Sequence, residues 1–257
     1  MNYGICNLSV VAVRKYDEHE SEQINQLLFG EHFIIQNQIG EWIEIENPFD
    51  NSKGWINSSQ CTYINKEEYD AICKRDIFIA KDYIDFVFDN ENNLIPISVG
   101  SNLPHFSHKL LKINNQSYKY EGEVVRFAQK DKSELVNNAY AYLNSPFLWG
   151  GKSPMGIDAS GFTQMVYKLN GIKIPRRADE QAKLGDVLSF IEESEPGDLA
   201  FFDNEEGEIV HVGIILSDNY IIHSHGKVRI DMIDHSGIYN LDTKRHSHKL
   251  RVIKKIC

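Results

Sequence analysis

Near residue 131 the texture of this 257-residue chain changes, from strand-sized apolar pieces to helix and loop patterns, and any fold proposed for it must hold both. Before it, apolar residues come in strand-sized pieces. Leu8 to Val13, Phe33 to Gln36, Trp42 to Ile45 and Gly54 to Ile56 are such pieces, separated by a polar turn at Gly40 and a loop over 47–54. In Trp42-Ile43-Glu44-Ile45-Glu46 the period is two, that of a half-buried strand. About five short strands in roughly 60 residues predict a small β-barrel over residues 1–62. The rhythm returns at Ile77 to Ala80, Tyr83 to Phe88, Leu94 to Val99 and Lys109 to Ile113, with a turn over 89–93 and a loop over 100–107. That predicts a second small all-β domain over 63–125. The two halves match poorly residue by residue, so the architecture repeats and the sequence does not.

The last domain is expected over 126–257. Ser133 to Leu143 reads as a helix with Ser133 as N-cap. The loop FLWGGKSPMGID follows. Phe162, Met165, Val166 and Leu169 then recur at helical spacing over Ser160 to Leu169, and Gly171 is a natural stop. Five strand candidates follow: Asp198 to Phe202, Val210 to Leu216, Tyr220 to Ser224, Val228 to Met232 and Leu250 to Ile256. Helices followed by an antiparallel meander predict an α+β domain.

Composition excludes some functions. A formal net charge of −10 argues against a nucleic-acid partner, which needs clustered Lys and Arg. No run approaches the ~18 apolar residues of a membrane span. Cys6, Cys61, Cys73 and Cys257 are too scattered for a metal knuckle or redox pair, and are expected reduced. The opening MNYGICNLSVVAVRKYDE lacks the pattern of a signal peptide. The expected location is the cytoplasm, or an exported compartment if a leader has been removed.

Chemistry concentrates at GIDASGF. Asp158 is placed to cap the following helix, which puts position 159 in its first turn. A thiol there would meet the positive end of the helix dipole and unpaired N–H groups, which lower its pKa. The same N–H groups suit a tetrahedral oxyanion. The position suits a nucleophile, yet the residue is Ala159. A nucleophile needs a base, and the base needs a group to orient it. His211 opens the strand HVGIIL, and His223 follows in YIIHSHG after a turn at Ser217-Asp218-Asn219. A hairpin there would bring the two imidazoles together, His211 as base and His223 holding its tautomer.

GIDASGF, PGDLAFF, HVGIIL and IIHSHG resemble, in order and spacing, the NlpC-type cell-wall peptidases, a family of papain-like cysteine peptidases. The family reads D-C-S-G-F where this chain has Asp158 to Phe162. The first half resembles tandem bacterial SH3-like domains, as in the members that act as γ-D-glutamyl-L-diamino acid endopeptidases. The resemblance implies two SH3-like barrels before a papain-like α+β domain. It implies no cofactor, and a small peptide substrate cut between γ-D-Glu and L-Lys or meso-diaminopimelate, with a free N-terminal L-Ala. It implies catalytic roles for position 159, His211 and His223, and contacts from Asp158 and Ser160 to the alanine ammonium. Phe147 stands where the family often has Tyr, Trp149 lies in the same segment, and Arg176 or Arg177 is expected to meet a substrate carboxylate.

Plainer readings stand beside these. Asp158 could be only a cap, Trp149 and Phe162 only packing, Asp198 a turn residue, His225 a neighbour at a strand end, and His246 and His248 surface. A zinc site built on His211, His223 and His225 lacks the usual motif spacings, and no metal is expected. Ala159 reads as a Cys-to-Ala change made to trap substrate, or as the mark of a protein that binds wall peptides without cutting them. A methyl group cannot attack a carbonyl, so the chain is expected to be inactive.

Overall fold

A computed structural model describes residues 2–127 and 132–256, except the side chain of Ser133. The N-cap expected at Ser133 therefore lies outside the described residues. The chain divides into two compact units, 1–130 with 149–154, and 131–148 with 155–257.

In the first unit, β1 (Asn2–Ile5), β2 (Val10–Arg14), β3 (Gln23–Leu28), β4 (His32–Ile39), β5 (Trp42–Glu46), β6 (Lys53–Asn57) and β7 (Thr62–Ile64) form one sheet in the order β3-β2-β6-β5-β4-β1-β7. Alternation decides which side chains face in. Ile43 and Ile45 are buried with Val11, Val13, Phe33 and Ile56, while Glu44 and Glu46 face out. Next comes α1 (Lys66–Lys74), where a continuation of the strand rhythm was expected. Its Asn65 side chain accepts from the Glu68 N–H, and Glu67 and Glu68 favour the positive end of the helix. β8 (Phe78–Ala80), β9 (Ile84–Phe88), β10 (Leu94–Ser98), β11 (Asn102–Leu103), β12 (Leu110–Ile113), β13 (Gln116–Lys119) and β14 (Val124–Arg126) form two antiparallel sheets, ordered β10-β9-β13-β12 and β11-β8-β14. They share a core that includes Phe29, Ile79's neighbour Ala80, Val87, Leu111 and Tyr120.

The segment Trp149–Pro154, which carries β15 (Lys152–Ser153), also belongs to this unit. Gly150 has φ +73°, and a Cβ there would stand 2.5 Å from the Gln23 carbonyl oxygen, so only glycine fits. The Lys152 ammonium is buried against the Glu31 carboxylate at 2.9 and 3.0 Å. Its backbone N–H donates to Gln26 Oε1.

The second unit contains α2 (Leu135–Tyr140), β16 (Gly156–Ile157), α3 (Ala159–Leu169) and α4 (Ala178–Gln181). α2 stops before the expected Leu143, and turn-type bonds such as Tyr142 N–H to Ala139 O take over. α3 ends at Asn170 and Gly171 (φ +70°), where Ile172 N–H reaches Tyr167 O and Gly171 N–H reaches Lys168 O. This double bond pattern satisfies the last carbonyls of the helix. The strands are β17 (Asp186–Leu188), β18 (Leu199–Asp203), β19 (Ile209–Ile215), β20 (Tyr220–His225), β21 (Lys227–Asp234), β22 (Gly237–Asn240) and β23 (Arg245–Lys255). Their order is β17-β23-β18-β19-β20-β21-β22, and β22 also pairs with β23, so the sheet closes on itself. Ala200, Phe202, Ile215, Ile221, Ile233, Ile238 and Ile253 form one buried cluster. α3 packs against β19 and β20. Among the described residues no helix is long and apolar enough to cross a membrane.

Candidate active site

α3 starts at position 159. Asp158 holds an extended backbone and its carboxylate accepts from the Gly161 N–H at 2.6 Å, which makes it the N-cap. Ala159 is the first helical residue and is 7% exposed. Just before it, Ile157 is pinned by Ser224, whose hydroxyl donates to the Ile157 carbonyl at 2.8 Å.

Asp158 is more than a cap. Arg176 grips both of its oxygens, Nη1 to Oδ1 at 2.9 Å and Nη2 to Oδ2 at 2.7 Å, and Nη1 also donates to Ser160 Oγ at 3.0 Å. The pair is buried. A two-pronged Arg–carboxylate contact fixes orientation as well as charge. The guanidinium that the sequence assigned to a substrate carboxylate is thus turned onto Asp158. Arg177 is exposed and pairs with Asp179. Gln181, fully buried, ties the Arg176 segment to α3: its amide donates to the Pro175 and Ser160 carbonyls, and its oxygen accepts from Thr163.

His211 and His223 come together as the hairpin reading expected. Gly213 of β19 pairs with His223 of β20, and His211 Nε2 lies 2.9 Å from His223 Nδ1. The array continues to a residue the sequence reading missed. His223 Nε2 lies 3.0 Å from Asp231 Oδ2 on β21, and Asp231 also accepts two bonds from Arg229 and one from the Leu241 N–H. Burial would raise the Asp231 carboxyl, but the bonds from His223, Arg229 and Leu241 outweigh it and hold it well below the usual range. An ionised Asp231 only accepts, so His223 donates through Nε2 and accepts through Nδ1. His211 must then donate through Nε2, which leaves its Nδ1 lone pair available as a base. Burial, with charge from neighbouring histidines, pushes His211 well below its ordinary value and keeps it neutral at pH 7.

His248, expected on the surface, is instead half-buried in this cluster. It stacks on His211 with centroids 4.1 Å apart and meets His223 edge-on at 5.7 Å. The displacement follows from register: β23 pairs with both β18 and β22, and His248 lies opposite Ile238 on the inward side. Burial lowers it to about 4. His246 is exposed, beside Asp234. His225 is exposed, 4.9 Å from the His248 ring. Asp198 closes a turn by accepting from the Glu195 N–H, and also binds Lys132.

Phe147 is 41% exposed, and its N–H donates to the Gly226 carbonyl. Trp149 is 58% exposed, with its indole N–H on Glu22 at 2.7 Å. Phe162 is fully buried, edge-on to Tyr142.

A capped helix packed on the two strands that bear paired imidazoles, with a carboxylate behind them on the next strand, has the parts of a hydrolase site. A family model described as NlpC/P60 family matches residues 144–247, and the chain is an NlpC/P60 family protein. It is 28% identical over 215 residues to a γ-D-glutamyl-L-lysine dipeptidyl-peptidase of Bacillus subtilis, spanning 77% of this chain and 71% of that protein. To the protein of the same name from Bacillus cereus it is 30% identical over 223 residues, 77% of this chain and 66% of the relative. A crystal structure of an NlpC/P60 family protein from Bacillus cereus superposes with a TM-score of 0.84 at 19% identity, covering 99% of both chains. That likeness shows a shared fold: a β-rich N-terminal region with several antiparallel sheets, followed by an α+β NlpC/P60 domain.

Proposed function

We propose that this chain has the site of a cysteine peptidase acting on the γ-D-Glu–diamino acid bond of cell-wall peptides, with alanine in the nucleophile's place. The observation that carries the reading is the array from Asp231 through His223 to His211, its two histidines on β19 and β20, the strands that pack against the helix beginning at position 159. In a thiol-bearing form His211 Nδ1 takes the thiol proton, the thiolate attacks the carbonyl, and N–H groups at the start of α3 receive the oxyanion. The names of the two Bacillus relatives support the bond type. In the finer reading two SH3-like barrels over 1–62 and 63–125 precede a papain-like domain over 126–257. Asp158 and Ser160 meet the L-Ala ammonium, and Phe147 lies along the substrate. Arg176 serves by holding Asp158 and Ser160 in place.

Ala159 itself favours a second reading, a protein that retains wall peptides without cutting them. One experiment separates the two. Ala159→Cys is incubated with L-Ala-γ-D-Glu-L-Lys and with the diaminopimelate analogue. Release of free diamino acid is expected; tight binding without turnover would sustain the second reading, and neither binding nor turnover would sink both.

A further inference from the structure

The proposed reaction uses His211 and His223 and leaves His248 unexplained. A base needs one orienting group, and His223 with Asp231 provides it. A third imidazole has nevertheless been drawn into the cluster from β23. One ring nitrogen from each of His211, His223 and His248 lies within 4.8 Å of the others.

We propose that His211, His223 and His248 together form a zinc-binding site. Neutral imidazole nitrogens suit zinc, whereas magnesium and calcium prefer oxygen. Two nitrogens on a tetrahedral zinc at roughly 2.0–2.1 Å stand about 3.3 Å apart. His211 Nε2 and His223 Nδ1 are already 2.9 Å apart. The ion replaces the proton they share but sits to one side of the line between the nitrogens, so the pair opens by a few tenths of an ångström, both rings tilt toward it, and the proton of His211 moves to Nδ1. His223 Nε2 stays on Asp231. That gives the carboxylate–histidine–metal arrangement that fixes ring orientation and strengthens a ligand. His248 has its Nδ1 2.8 Å from Ser247 Oγ, which leaves Nε2 for the ion. Its ring is stacked on His211, so it must rotate out of the stack to coordinate. The fourth position is left to water or a carboxylate. A bound ion takes the lone pairs that the base role requires, so zinc and proton transfer at His211 exclude one another. The site stands whether or not the peptidase reading does, because its probe is the ion alone.

The test uses the full chain, stripped with a chelator and titrated with zinc chloride by calorimetry at pH 7.5. Saturable 1:1 binding is expected. His248→Gln should weaken it at least tenfold, and His246→Gln should leave it unchanged. Cobalt(II) provides a second measurement on the unaltered chain: visible bands of a tetrahedral nitrogen site, without the near-ultraviolet charge-transfer absorption of a thiolate. No saturable binding, affinity unchanged in His248→Gln, or a thiolate band would overturn the proposal. If His248→Gln fails to fold, the cobalt spectrum alone decides.

Discussion

At the scale of single residues, the contacts of Asp158 and Asp231 decide what the site can do. Arg176 and Asp158 are a buried pair, so removing one partner leaves an uncompensated charge. Arg176→Gln should therefore destabilise the chain by about 3 kcal/mol, read as a shift in urea midpoint at constant slope. A shift under about 1 kcal/mol would mean that water reaches Asp158 freely. Asp231 works through His223. In the Ala159→Cys background, Asp231→Asn should lower kcat roughly tenfold or more with KM little changed, since 1.4 kcal/mol of lost orientation is one decade. An unaltered rate would remove Asp231 from the relay. Its absence from the sequence reading has a physical cause. Asp231 lies eight residues beyond His223 in an alternating strand, where Arg229 and Asp231 look like solvent-facing charges. Only the closure of the sheet turns them inward.

At the scale of elements, legibility followed chain separation. The His211–His223 hairpin was readable because a turn and a period of two put both imidazoles on one face. The start and stop of α3 were readable because Asp158 and Gly171 are local signals. α1 was missed although Asn65 and Glu68 are a capping pair, because its neighbours are strands and only Ile72 is buried. His248 was misplaced because its neighbours come from β19 and β20, far away in sequence. The glycine of HVGIIL also has a reason visible only in the sheet. A Cβ on Gly213 would stand 2.9 Å from His223 Cβ and 2.7 Å from Ile221 Cδ1. Gly213→Ala should cost about 1–3 kcal/mol by overpacking and disturb the His223 ring signals in NMR spectra. A variant as stable as the parent with unchanged histidine shifts would refute this account of the glycine.

At the scale of the whole molecule, the histidine cluster sets a pH limit. Burial holds His211, His223 and His248 below the ordinary 6.5, His248 at about 4. The unfolded chain takes up protons that the folded chain refuses, so stability falls as pH drops from about 6.5 toward 4, by up to ~1.4 kcal/mol per unit for each histidine. Asp231 is depressed instead, so its contribution is present above the ordinary carboxyl value and is lost only at still lower pH. Both effects weaken the fold in acid. Urea midpoints measured in chelator at pH 7.5, 6.0 and 5.0 should fall in that order, and less steeply in His248→Gln. A flat profile would show that the cluster is open to water.

The Trp149–Pro154 segment belongs to the first unit, although the residues on either side of it belong to the second. Its Lys152 is held by Glu31, a residue 121 positions earlier in the chain. A recombination break near residue 130 would give residues 131–257 a Lys152 without Glu31 and a Gly150 without the Gln23 backbone it was shaped to meet. A foreign N-terminal half would have to supply a carboxylate and a closely approaching backbone at the same places. An N-terminal half without a carboxylate at the Glu31 place should therefore leave the Lys152 ammonium buried and unpaired and lower the urea midpoint.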